Sequence, residues 1–289
     1  MRILIFGKNG QVARCLREEA GGTAATALGS DDCDLIKPGA AAKAITQHAP
    51  DIVVNAAAYT AVDKAETDEA TARRLNAEAP AEIAAACADA GARFIHVSTD
   101  YVFDGQKDTP YAEDDAPAPL GVYGATKRDG ENAVLTAAPG AIILRTSWVF
   151  SEYGANFVKT MLRLGNEQRG LSIVDDQIGG PTPARDIARA IMTIAGKIHR
   201  GAPGDGVYHY QGEPPVSWAA FAEKIFEVTG LPVEVKKIST PDYPTAAARP
   251  LYTVLDCARI ARNFGIAQTD WRIGLRQTLG ALTEKRANP

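Results

Sequence analysis

Short apolar runs alternate with longer alanine-rich stretches through the first half of the chain. The runs fall at residues 2–6, 25–28 (the weakest), 51–55, 93–97 and 142–145. They show little apolar/polar alternation, which is the pattern of strands buried on both faces. The stretches between them have helical spacing, clearest over 78–90, where Ile83 and Cys87 stand four apart on one face. Strand–helix–strand repetition predicts an α/β fold, a Rossmann-type doubly wound parallel sheet with right-handed crossovers.

Beyond about Leu171 the rhythm breaks. Gly179-Gly180-Pro181-Thr182-Pro183, the 201–206 segment and Glu213-Pro214-Pro215 punctuate it. Two amphipathic helices still read over 183–198 and 217–229, the second with Ser217 as N-cap and Gly230 as its stop. The expected organisation is a dinucleotide-binding domain over 1–170 and a smaller C-terminal substrate-binding lobe over 171–289. The lobe covers the carboxyl edge of the sheet, and segments of the two can interleave.

Composition narrows the function classes. Of 289 residues, 46% are hydrophobic and 23% charged, an ordinary globular balance. The net charge of −4 argues against a nucleic-acid partner, which calls for a basic surface. Cys15, Cys33, Cys87 and Cys257 form no Cys-x-x-Cys pair, so free thiols of a reducing compartment are expected, not a disulfide scaffold or zinc site. The first apolar run meets Gly7 too soon for a signal peptide, and no apolar stretch is long enough to span a bilayer. A cytoplasmic protein with no membrane partner is the expectation.

Gly7-Lys8-Asn9-Gly10-Gln11-Val12-Ala13 directly follows the first strand and opens a helix. The sharp turn favours glycine, and the N–H groups of the helix start, aided by the helix dipole, suit a pyrophosphate. An ordinary βα turn reads the same way, but the position after a buried strand at residue 7 favours a dinucleotide. Ala13 stands at the third glycine of the pattern, where helix and strand pack. The end of the second strand usually sets NAD against NADP: an acid there binds ribose hydroxyls, and a base accepts a 2′-phosphate. Gly29 and Ser30 offer neither; Asp31 and Asp32 read equally as a solvated turn or as ribose ligands. NADPH and NADH therefore both remain candidates, with Asp34 and Leu35 beside the adenine.

Tyr123 and Lys127 stand at i and i+4, so both project from one helical face. A cation near a phenol stabilises phenolate and lowers its pKa from about 10, which would make tyrosine a better proton donor. A surface helix pair gives the same spacing. Ser98 and Thr99 follow a strand upstream, at the carboxyl end where ligands bind in open parallel sheets. Their hydroxyls suit a substrate oxygen, or a turn capping its own backbone. Asn55-Ala56-Ala57-Ala58 ends the preceding strand with small residues that allow close approach of a cofactor.

These strings together resemble the dTDP-4-dehydrorhamnose reductase family of the extended short-chain dehydrogenase/reductase superfamily. The resemblance covers almost the whole chain: GKNGQVA from Gly7, NAAAYTAVDKAE from Asn55, STDYVFDG from Ser98, YGATK from Tyr123, RTSWVF from Arg145, DDQIGGPT from Asp175 and ARP around Arg249. It implies reduction of dTDP-4-dehydro-L-rhamnose to dTDP-L-rhamnose by hydride transfer from NAD(P)H, supplying a surface-polysaccharide precursor. It implies catalytic roles for Thr99, Tyr123 and Lys127, and substrate contacts from Thr99, Asp100, Trp148 and Arg249. Cofactor contacts are implied at Gly7, Gly10, Gln11, Val12, Asp34, Leu35, Asn55, Tyr59, Thr60 and Ala61, besides Tyr123 and Lys127. Trp148 reads otherwise as a core aromatic and Arg249 as half of a surface ion pair. A homodimer is compatible with the resemblance. The magnesium site of some members does not carry over, because Arg14 and Cys15 stand where an early acidic residue is needed; no metal is expected. Competing functions are reduction of another 4-keto nucleotide sugar and a non-catalytic partner role, as in the similar regulatory subunit of methionine adenosyltransferase. The intact Thr99, Tyr123 and Lys127 favour catalysis.

Overall fold

The computed structural model describes residues 1–287. Six parallel strands form its central sheet: β1 (Arg2–Phe6), β2 (Ala24–Leu28), β3 (Ile52–Asn55), β4 (Arg93–Thr99), β5 (Ile142–Thr146) and β6 (Gly206–His209). Their spatial order is β6-β5-β4-β3-β1-β2. Register follows from burial on both faces. Ile3 and Ile5 of β1, with Ile52 and Val54 opposite them on β3, join one hydrophobic core; Leu4, Phe6 and Val53 join the other. Successive side chains of a strand point to opposite faces, so a strand covered on both sides has no polar face to show. That is why these runs read as continuous apolar strings.

The first core is closed by α1 (Gln11–Glu19) and α6 (Ala184–His199), which pack on each other. The second is closed by α2 (Ala40–His48), α3 (Ala79–Ala90) and α4 (Val122–Ala137). Ile83 and Cys87 of α3 are both wholly buried there. A π-turn, Arg74–Glu78, runs straight into α3 and packs on α4.

A third core lies off the sheet. It gathers Phe150, Val158 and Met161 with Phe221 and Ile225, and with Trp271 and Leu275. The helices are α5 (Phe157–Glu167), α7 (Trp218–Thr229) and α9 (Trp271–Ala287), with α8 (Ala258–Phe264) packed instead toward β6. Ser217 caps α7 by accepting from the Ala220 N–H at 3.0 Å, and Gly230 ends it with φ +67°. The expected division at residue 170 is therefore interleaved. α6 and β6 lie beyond it in sequence but return to the sheet, β6 pairing with β5 through Val207 and Ile143. The third core draws on Phe150 to Ile173, Ala219 to Phe226 and Trp271 to Leu279, while Leu255, Cys257, Ile260 and Phe264 return to the first core. The four cysteines are separate, free and buried. No helix among the described residues is long and apolar enough to cross a membrane.

Candidate active site

The carboxyl ends of β1, β3, β4 and β5 open on one cleft of about 760 Å³ between the sheet and the lobe. Its floor begins at Gly7. This residue has φ +98°, and a Cβ there would stand 2.8 Å from the Ala56 carbonyl carbon and the Ala57 nitrogen. Only glycine fits a left-handed turn pressed that closely on a neighbouring strand. Gly10 caps α1 without a side-chain bond, so the first-turn N–H groups stay available to an anion. Ala13 is wholly buried against the sheet. Gly10, Gln11 and Val12 all line the cleft. Gln11 also ties the helix start to the lobe: its Oε1 accepts from Ser151 Oγ at 2.8 Å and from Asn156 Nδ2 at 2.9 Å. A Cβ-free cradle with unused helix N–H groups fits a dinucleotide pyrophosphate.

At the β2 end the cleft is lined by Gly29 and Ser30. Asp32 folds back onto its own turn, accepting from the Gly29 N–H and from Lys8 Nζ, each at 3.0 Å. Of the two carboxylates that read from sequence as ribose ligands, Asp31 and Asp32, the second is thus already occupied, as is Lys8. Asp34 and Leu35 do not line the cleft. Leu35 is buried in the second core, and Asp34 Oδ1 accepts from the Ile36 N–H at 3.1 Å.

The chemical groups gather where β4 ends and α4 begins. Thr99, Asp100, Tyr123 and Lys127 share the cleft wall. Thr99 Oγ1 accepts from the Tyr101 N–H at 3.2 Å and donates to Asp100 Oδ1 at 3.0 Å. It also hydrogen-bonds Tyr123, which favours the phenolate, but burial dominates and pushes the Tyr123 phenol up to about 12. Burial pushes the Asp100 carboxyl up to about 6 as well. Lys127 is 1% exposed, and burial brings its ammonium down to about 8 against the opposing pull of Glu131.

The spacing rule therefore places Tyr123 and Lys127 together but misreads their electrostatics. A lysine one helical turn away predicts an acidified phenol. Instead Nζ points back into the sheet, donating to the Val97 carbonyl at 2.8 Å and lying 3.1 Å from His96 Nε2. Desolvation then governs both groups.

Two glycines seat this helix. A Cβ on Gly124 would lie 2.1 Å from the Tyr101 carbonyl oxygen, and one on Gly130 would lie 2.0 Å from that of Asn76. Asn76, on the π-turn, receives the Tyr59 N–H on Oδ1 at 2.8 Å. Its Nδ2 donates to the Tyr59 carbonyl at 3.1 Å and to Thr126 Oγ1 at 3.2 Å. It clamps the 59–61 loop to α4. Behind the cleft, Glu131 and Arg145 form a buried pair closing to 2.6 Å, with Ser98 Oγ donating to the carboxylate at 2.5 Å.

Of the expected contacts, Thr60 lines the cleft, while Tyr59, Ala61 and Asn55 do not. Tyr59 gives its hydroxyl to Asp68 at 3.0 Å, Ala61 caps a short helix, and Asn55 is wholly buried behind the strand end. Trp148 does reach the cleft, with φ +44° and its indole stacked on that of Trp218 at 3.5 Å and 4°. Arg249 stands outside the lining and is paired with Asp63 at 2.7 Å. Sequence reasoning missed Trp218, Asn76, His96 and the Glu131–Arg145 pair. The i, i+4 step from Lys127 to Glu131 was the one available signal for the last.

A family model described as the RmlD substrate binding domain matches residues 1–284. The dTDP-4-dehydrorhamnose reductase of Sinorhizobium fredii is 45% identical over 289 residues, covering 98% of each chain. The crystal structure of a dTDP-4-dehydrorhamnose reductase from Clostridium acetobutylicum superposes with TM-score 0.93 at 36% identity, over 98% of this chain and 100% of that one. One from Bacillus anthracis, in complex with NADP, gives TM-score 0.90 at 35% identity, over 97% and 99%. With near-complete coverage at these identities, the chain belongs to the dTDP-4-dehydrorhamnose reductase family.

Proposed function

We propose that the protein reduces the C4 carbonyl of dTDP-4-dehydro-L-rhamnose to the alcohol of dTDP-L-rhamnose, using NADPH or NADH. The observation that carries this reading is the convergence of Thr99, Tyr123 and Lys127 on the cleft that holds the Gly7–Gly10 cradle. The nicotinamide supplies the hydride when bound.

The protein's own groups do the rest. The N–H groups at the start of α1 bind the pyrophosphate, and Ala56, Ala57 and Thr60 shape the wall beside it. The Tyr123 phenol, pushed up to about 12, stays protonated near neutral pH and is the proton donor to the oxygen that becomes the alcohol. Thr99, beside Tyr123, holds the same oxygen by turning its one O–H from Asp100 to it. Lys127 orients the nicotinamide ribose. The Trp148–Trp218 stack forms the sugar-nucleotide side of the cleft, where an indole face suits a pyranose or a base. Arg249 would reach a diphosphate only by leaving Asp63.

The test is oxidation of NADPH and NADH by the purified protein against a panel of 4-keto nucleotide sugars. The reading expects turnover with dTDP-4-dehydro-L-rhamnose. Turnover with a different 4-keto sugar alone would move the substrate assignment. No turnover with any of them would leave a binding protein.

A further inference from the structure

Behind the cleft, His96 of β4 is wholly buried between two polar groups. Its Nε2 lies 3.1 Å from Lys127 Nζ, and its Nδ1 lies 3.1 Å from Asn55 Nδ2. The direction of these bonds is decided by a third. The backbone N–H of Ala57 donates to Asn55 Oδ1 at 3.1 Å. Turning the amide over would set its NH₂ against that N–H, donor to donor. Asn55 therefore offers His96 an N–H, and Nδ1 has to be the nitrogen with the lone pair.

A neutral imidazole carries one N–H, so it lies on Nε2 and points at Lys127. Burial holds His96 well below its usual range, so the imidazole is neutral. Nζ must then present a lone pair to it. An amine meets every demand: it accepts from His96, donates to the Val97 carbonyl at 2.8 Å, and keeps one N–H. An ammonium has three N–H groups and no lone pair, and one would face the Nε2–H in a site without water-like screening.

We propose that Asn55 and His96 together hold Lys127 as the neutral amine in the free enzyme, with His96 a positioning residue acting through its Nε2–H.

The other charged groups around Lys127 do not reverse this. Glu131, one turn on in α4, favours the charged form, but it is bonded to Arg145 and Ser98. Asp100, on the turn after β4, is buried with its carboxyl pushed up to about 6. Tyr123, one turn back, is a neutral phenol. Arg145, on β5, adds positive charge behind Glu131. Burial, against the opposing pull of Glu131, brings Lys127 down to about 8, and the donor–donor conflict acts in the same direction as burial.

Charging Lys127 would require His96 to change tautomer and the Asn55 amide to turn, releasing the Ala57 N–H. That nitrogen is one of the atoms against which Gly7 is packed. The lysine's charge is thereby linked to the glycine cradle. Only this consequence for catalysis rests on the reductase reading; the hydrogen-bond directions do not.

The test uses the wild-type protein without ligands. Two-bond ¹H–¹⁵N correlation on histidine-labelled protein identifies which ring nitrogen of His96 is protonated. The signals are assigned by single substitution of the other three histidines, His48, His199 and His209. Near neutral pH the proposal expects the Nε2–H tautomer; an Nδ1–H tautomer or an imidazolium overturns it. A second measurement follows the Lys127 side-chain resonance with pH, assigned by its loss in Lys127→Met. His96→Phe removes the opposing donor, so the Lys127 midpoint should rise by at least about one pH unit, a tenfold change. An unchanged or falling midpoint overturns the proposal, because it would mean that His96 had been accepting from an ammonium. If His96→Phe does not fold, the wild-type tautomer decides alone. Neither readout depends on turnover, so loss of the reductase reading would leave both intact.

Discussion

Gly130→Ala perturbs the helix that carries Tyr123 and Lys127 without touching either. The added Cβ would stand 2.0 Å from the Asn76 carbonyl oxygen, where real contacts do not fall below 3.0 Å, so α4 and the π-turn must part by about 1 Å. Asn76 is wholly buried and the clash is with backbone, so no side chain can swing aside. Overpacking of this kind costs about 1–3 kcal/mol. Parting the elements also strains the Asn76 bonds to Thr126 and Tyr59, each worth about 1 kcal/mol. Alanine returns about 1 kcal/mol in helix propensity. The expected net loss is about 2–4 kcal/mol, read as a fall in the urea midpoint by far-UV circular dichroism. Gly280→Ala in α9, where a Cβ meets nothing within 4 Å, is the control and should be neutral or slightly stabilising. Turnover in folded Gly130→Ala should also fall, since a displacement of about 1 Å at a reacting group can cost about a hundredfold. Equal or greater stability of Gly130→Ala would refute the argument that this helix is seated by close backbone approach.

Two further outcomes follow from the same geometry. His209 is buried, with Nδ1 against the Tyr111 carbonyl at 3.1 Å and Nε2 facing Arg145, and burial and Arg145 bring it down to about 3. The unfolded chain then binds the extra proton below about pH 6.5, so stability should fall from there toward pH 3, with a slope of up to about 1.4 kcal/mol per pH unit from this group. His209→Asn should flatten the acid limb of urea denaturation by that amount, and parallel limbs would contradict the assignment. With Asp32 and Lys8 paired to each other and only Gly29 and Ser30 lining the β2 end, NADPH and NADH should both support turnover. Their kcat/KM values should differ by less than about a thousandfold, or about 4 kcal/mol, and a larger ratio would mean that other residues set the preference.

The sheet was legible because its strands are buried on both faces, which leaves an unbroken apolar string at each of them. The cradle and the Tyr123–Lys127 pair were legible because each is local: a turn that needs glycine, and one helical turn of spacing. What escaped is non-local. β6 and α6 lie beyond a proline- and glycine-rich stretch, and their return to the sheet is decided by packing against β5 and α1 rather than by any local pattern. His96 sits in an apolar run and reads as a core residue, while its partners come from β3 and α4. The Trp148–Trp218 stack joins residues seventy positions apart. Arg249 reads from sequence as a diphosphate anchor or half of an ion pair, and only folding brings in its partner Asp63 from far along the chain. The direction of the Tyr123 shift was not legible either, because burial at the cleft wall sets it rather than the lysine one helical turn away.

The most direct measurement on the central claim is single-turnover reduction of dTDP-4-dehydro-L-rhamnose by wild type and Tyr123→Phe, with NADPH affinity measured in parallel by fluorescence titration. Removing a positioned proton donor that lies against Thr99 should lower the rate by at least about a hundredfold while leaving NADPH binding within a few-fold of wild type. A near-normal rate in a folded Tyr123→Phe protein that still binds NADPH would contradict the account.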